Sequence, residues 1–143
     1  MNTSDILALI AIIVSLACVG YEAYSSKKIN RINIENKYYA KIFDNILLFR
    51  IPKAREYLMH IGDNLEGTQK LQSVLVDLRK KALFFKYKDL DFYNDLTEMC
   101  MNIEDYLFNC EGEMTKDTYK KFERELDSRL ADLYTLISDN SEK

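Results

Sequence analysis

The chain has 143 residues, of which 20 are Lys or Arg and 23 are Asp or Glu, for a net charge of −3. That length fits one ordinary domain, or a small domain with an appendage, and the charge excludes both a strongly basic nucleic-acid scaffold and an acidic solvating tail. With 48% apolar residues, four glycines and one proline, the chain is neither disordered nor collagen-like, and it lacks the turn residues that an all-β fold needs.

The first element is an apolar block. Ile6 to Tyr21 is a run of sixteen residues without a charge, and extension to Tyr24 gives nineteen. At 1.5 Å per residue this is about 28 Å of helix, close to a hydrocarbon core of roughly 30 Å. Tyr21 and Tyr24 stand where an interfacial aromatic belt falls, and Glu22 is near enough to the end to reach the headgroups. A cleaved signal peptide needs a basic start, which Met1 to Asp5 lacks, and no small-residue cleavage site follows. A lipoprotein cysteine at Cys18 has Ser15 and Leu16 in poor order before it. A buried core helix would have to be surrounded by the rest of a small bundle. A transmembrane helix is therefore expected, with residues 1–24 as anchor and 25–143 as a helical domain. Lys27, Lys28, Arg31, Lys37 and Lys41 follow the block, while no Lys or Arg precedes it. The positive-inside rule then gives a single-pass protein of the inner (plasma) membrane, N-terminus outside and C-terminal domain cytoplasmic.

After the anchor, four punctuation points divide the chain. Pro52 cannot continue a helix but suits the first turn of a new one. Gly62 to Gly67 reads as a loop that ends on Thr68 as N-cap. Tyr87-Lys88-Asp89 is a weaker break. Glu111-Gly112-Glu113 precedes Thr115 as a cap, with Met114 and Tyr119 placed as a hydrophobic staple.

Between these points the apolar spacing is helical. Ile29, Ile32, Asn36, Tyr39, Phe43 and Ile46 form a first stripe, and Leu71, Val74, Leu75, Leu78, Ala82 and Phe85 a second. Phe92, Leu96, Met99, Ile103, Leu107 and Cys110 form a third, and Tyr119, Phe122, Leu126, Leu130, Leu133 and Ile137 a fourth. No segment alternates apolar and polar for long enough to predict a strand. The expected fold is all-α: an N-terminal transmembrane helix, a juxtamembrane helix, a short helix after Pro52 and a small antiparallel helical bundle. The first stripe can be an oligomer seam in which Asn36 fixes register, or it can pack against its own bundle.

Charge is segregated. Residues 25–88 carry 14 basic and 6 acidic side chains, and residues 89–143 carry 6 and 15. The densest basic cluster is Arg79, Lys80, Lys81, Lys86 and Lys88, interleaved with Leu83, Phe84, Phe85 and Tyr87. This patch could bind nucleic acid or phosphoinositide. Asp89, Asp91 and Asp95 beside it would repel a phosphate backbone, so the solvated face of a helix is preferred and nucleic acid is not expected as a partner.

Catalytic chemistry has little to work with. Cys18, Cys100 and Cys110 form no Cys-x-x-Cys unit, and Cys100 and Cys110 lie about 15 Å apart along one expected helix, too far to bridge. Asp89-x-Asp91-x-x-x-Asp95 begins like a calcium loop, but the Gly and terminal Glu are out of place. No metal or cofactor is expected. Arg55-Glu56-Tyr57-Leu58-Met59-His60 resembles the Arg-x4-His motif of the HEPN ribonucleases, over six residues of the chain. The resemblance implies an all-α bundle that acts as a metal-independent ribonuclease of an abortive-infection or toxin type. Arg55 and His60 of paired protomers would meet at a dimer interface, His60 handling protons and Arg55 stabilising the phosphorane. Glu56 departs from the family's usual amide, His or Asp, and the motif lies early in the chain. On a helix the two side chains would point about 140° apart. The plainer reading, a helical Arg beside Glu56 and a half-buried His, is preferred.

The leading expectation is a membrane-anchored scaffold, tether or regulatory subunit that acts by protein–protein interaction, with another protein or itself as partner. A membrane-tethered HEPN-like ribonuclease is the enzymatic alternative. A third is a small subunit of a larger membrane complex that uses the span as interface. Abundant Lys, Asn, Ile and Tyr suggest an AT-rich prokaryotic genome.

Overall fold

A computed structural model describes the backbone of residues 3–141 and the side chains of 12–30 and 36–141. The chain is mostly helical, as its apolar periodicity predicts. Helix α1 runs Thr3–Asn45, so the expected span and the juxtamembrane stripe fall on one helix. Ile6 to Ala11, the start of the uncharged block, lie outside the residues whose side chains are described. Among the described residues no helix is long and apolar enough to cross a membrane.

Two compact units divide the chain, residues 1–38 and 39–143. In the second, the end of α1 passes into a π-helical turn, Ile46–Arg50, and then into α2, Ile51–Glu56. Pro52 stands in the first turn of α2, as its missing N–H requires. In an i→i+5 ladder the N–H of residue 52 would reach the carbonyl of Leu47, and proline has none to offer. The Tyr134 hydroxyl donates to the Leu47 carbonyl instead. Tyr134→Phe is accordingly expected to lower stability by about 1 kcal/mol, read as a drop in urea midpoint with unchanged helical content.

Helices α3 (Thr68–Lys81), α4 (Leu90–Cys110) and α5 (Lys116–Ser141) form the bundle, with α4 packed against both others. The second stripe is wholly buried. The third and fourth are buried along most of their length, with Met99, Cys110 and Tyr119 half-covered at their edges. Asp89 caps α4 by accepting the Phe92 N–H at 3.0 Å, so the first of the three spaced aspartates terminates a helix. Before it, Ala82–Tyr87 is a 3₁₀ turn. Thr115 caps α5 through the Thr118 N–H, and Met114 and Tyr119 both lie against the core as a staple would.

Two expectations need correction. A small antiparallel sheet is present, built from β1 (Met59–Ile61), β2 (Asn64–Glu66) and β3 (Gly112–Glu113) in the order β1-β2-β3. Gly62-Asp63 is its two-residue hairpin loop, with Gly62 at φ +63. Such strands are too short to display alternation, but a Gly-Asp pair between Met59-His60-Ile61 and Asn64-Leu65-Glu66 is a hairpin signal. The second correction concerns the cap of α3. Gly67, at φ +88, holds the N-cap position with no side-chain bond, and Thr68 is the first helical residue, buried, its Oγ1 without a partner. Glycine is required there because a Cβ on residue 67 would lie 1.9 Å from the Tyr57 carbonyl oxygen.

Candidate interaction surface

The motif Arg55-x4-His60 does not stay on one helix, because α2 ends at Glu56 and His60 sits on β1. Arg55 reaches across to α5, with Nε 3.1 Å from Asp127 and a terminal nitrogen 3.4 Å from Glu123. Burial alone would lower its pKa; the hydrogen bonds and charges of Asp127 and Glu123 outweigh that and raise it. His60 Nε2 lies 2.6 Å from the carbonyl of Met114. A carbonyl only accepts, so Nε2 carries the proton and donates. The imidazole also lies 5.2 Å, centroid to centroid, from the Tyr119 ring, whose hydroxyl donates to the Leu58 carbonyl at 3.3 Å. Both residues thus tie the hairpin region to α5 and the connection that precedes it.

The first stripe divides. Ile29 and Asn36 are exposed, and the side chain of Ile32 lies outside the described residues. Phe43 and Ile46 are in the core of the 39–143 unit, and the Tyr39 hydroxyl donates to the Ile137 carbonyl. Burial pushes the Tyr39 phenol up from its ordinary pKa. Its ring packs against Phe43, and Phe43 stacks on Phe85 at 5.6 Å. Three of the six expected seam residues are therefore engaged within the chain.

The charge clusters are also altered by folding. Lys27, Lys28, Lys37 and Lys41 are exposed, and the side chain of Arg31 lies outside the described residues. In the basic patch, Arg79 grips Glu104 of α4 with two hydrogen bonds of 3.0 and 2.8 Å. Lys81 lies 3.8 Å from Asp77, which also pairs with Arg50. The Arg50 hydrogen bond is the main cause that lowers the Asp77 pKa. Lys80, Lys86 and Lys88 remain exposed. The basic and acidic halves of the sequence thus pair in part across helices, which removes Arg79 from the expected patch.

All three cysteines are free. Cys100 is buried in the bundle, and desolvation pushes its thiol up to about 12, which makes it an inert core group.

Periodicity did not mark an adjacent pair of outward apolar side chains in the second unit. Leu48 and Phe49 are 64% and 67% exposed on the π-helical turn. In the sequence they follow Ile46 and Leu47 as one apolar run. Both belong to the π-helical turn, a feature common at functional positions. On α1, Ile12, Ile13, Val14, Leu16 and Val19 are exposed as well, each by more than half. No protein-family model, no curated protein and no solved structure matches this chain.

Proposed function

We propose that the chain is a single-pass membrane-anchored protein whose helical domain acts by contact with another protein or with a second copy, as a scaffold, tether or regulatory subunit. The observation that carries this reading is apolar surface left uncovered by the chain itself. From Ile12 to Tyr24 every described side chain of α1 is exposed, so no face of that stretch is covered by the protein. A helix that is apolar all round belongs in a core or in lipid. Together with the uncharged residues from Ile6 onward, this favours lipid as its surroundings. The Lys/Arg that follow favour N-out topology, with the second unit on the cytoplasmic side.

Contact with a partner is supported by Leu48 and Phe49, which the fold leaves in solvent although neighbouring Ile46 and Ile51 are buried. The test is blue-native electrophoresis of mildly solubilised membranes. The native chain is expected in an assembly heavier than the 16.8 kDa protomer. Phe49→Asp should release the protomer while changing its stability by no more than about 0.5 kcal/mol, as for other surface substitutions. A native chain that migrates alone would remove the contact reading.

A further inference from the structure

A pocket of about 270 Å³ lies beside α2 and α3, lined by Arg50, Lys53, Ala54, Tyr57, Lys70 and Val74. Three of these six side chains are cationic and none is a carboxylate. Arg50 is paired with Asp77 outside the lining. Among the described residues Lys53 makes no ion pair, and the Lys70 ammonium sits 5.4 Å from the centroid of the Tyr57 ring, a contact that holds it in place without neutralising it. Ala54 and Val74 supply an apolar floor, both buried. The walls are held together where Gly67 lets the start of α3 approach the Tyr57 carbonyl.

We propose that this pocket binds a phosphomonoester group. Two unneutralised ammonium groups match a dianion better than a single carboxylate, and the Tyr57 hydroxyl and Arg50 add further donors. The volume of about 270 Å³ is enough for one phosphate and a small attached group. The same chemistry is offered by a free phosphomonoester and by the headgroup of phosphatidic acid. This site is independent of the contact surface at Leu48 and Phe49, and it stands whether or not the chain is anchored.

The experiment uses the full chain in detergent micelles, titrated by calorimetry with inorganic phosphate, glycerol 3-phosphate and micellar short-chain phosphatidic acid. Saturable binding is expected, weakened by about a hundredfold in Lys53→Gln/Lys70→Gln, since each of the two lost charge-assisted bonds costs about tenfold. Lys80→Gln/Lys86→Gln, which removes the same charge elsewhere, should leave the affinity unchanged. Tighter binding of phosphatidic acid than of glycerol 3-phosphate identifies the lipid as the source, and equal binding identifies a free phosphomonoester; either supports the site. No saturable binding of any of the three probes overturns the proposal. Equal weakening by the two double variants overturns it too, because the attraction would then be diffuse charge. Circular dichroism of each variant separates lost binding from lost fold.

Discussion

Phe43→Ala should destabilise the second unit by about 3 to 5 kcal/mol, the usual cost of emptying an aromatic core position. Phe43 is 1% exposed and its ring lies 4.5 Å from Tyr39, 5.6 Å from Phe85 and 6.2 Å from Phe92, centroid to centroid. Those rings come from the end of α1, the 3₁₀ turn and α4, so one truncation loosens three elements. The same substitution decides what the first stripe is for. If Phe43 belongs to its own core, the fall in denaturation midpoint is the same at widely separated protein concentrations. If it were a seam between copies, stability would depend on concentration by mass action and the variant would lose that dependence. Chemical denaturation of the full chain in detergent, followed by circular dichroism, distinguishes the two.

Gly67→Ala is expected to cost roughly 3 to 5 kcal/mol, at the upper end for a single methyl group. Two penalties coincide at this residue. Its φ of +88 is disfavoured for any L side chain, and the new Cβ would meet the Tyr57 carbonyl oxygen at 1.9 Å and its carbon at 2.7 Å. Both atoms are backbone, so no rotamer change relieves the overlap. Gly62→Ala is the matched control: its φ is +63 but nothing lies within 4 Å of the added Cβ. The control should lose only about 1 to 2 kcal/mol, the cost of the left-handed conformation. Equal thermal shifts for the two variants would mean that the approach of α3 to Tyr57 is not as tight as described.

The bundle was legible because its helices are long enough to repeat. Leu71 to Phe85, Phe92 to Leu107 and Phe122 to Ile137 each turn an apolar face inward over several turns, and Asp89 and Thr115 mark helix starts. The hairpin was not legible, because three-residue strands contain too little alternation to register; only Gly62-Asp63 hinted at it. The role of the Tyr39-Phe43-Ile46 stripe was ambiguous for a physical reason. A 3-4 repeat records that a face is covered, not whether its own chain or another covers it. The exposure of Leu48 and Phe49 was hidden because Ile46 to Phe49 is apolar throughout, so composition does not separate its buried end from its exposed one. Arg55 and His60 are near neighbours in sequence, but the end of α2 at Glu56 sends them to different tasks. One pairs with Asp127 and Glu123 and the other with the Met114 carbonyl. Pairing across helices depends on which faces meet, so neither bond could be read from spacing alone.

Membrane anchorage with the second unit inside is the central claim, and protease protection tests it most directly. Sealed inverted vesicles and intact spheroplasts carrying the full chain would be treated with protease and probed for the Lys143 end. The expected result is loss of that end in inverted vesicles, survival of a short membrane-embedded fragment that includes Ile6 to Tyr24, and no cleavage in spheroplasts. Recovery of the chain in the soluble fraction, or protection of its C-terminal end in inverted vesicles, would contradict the account.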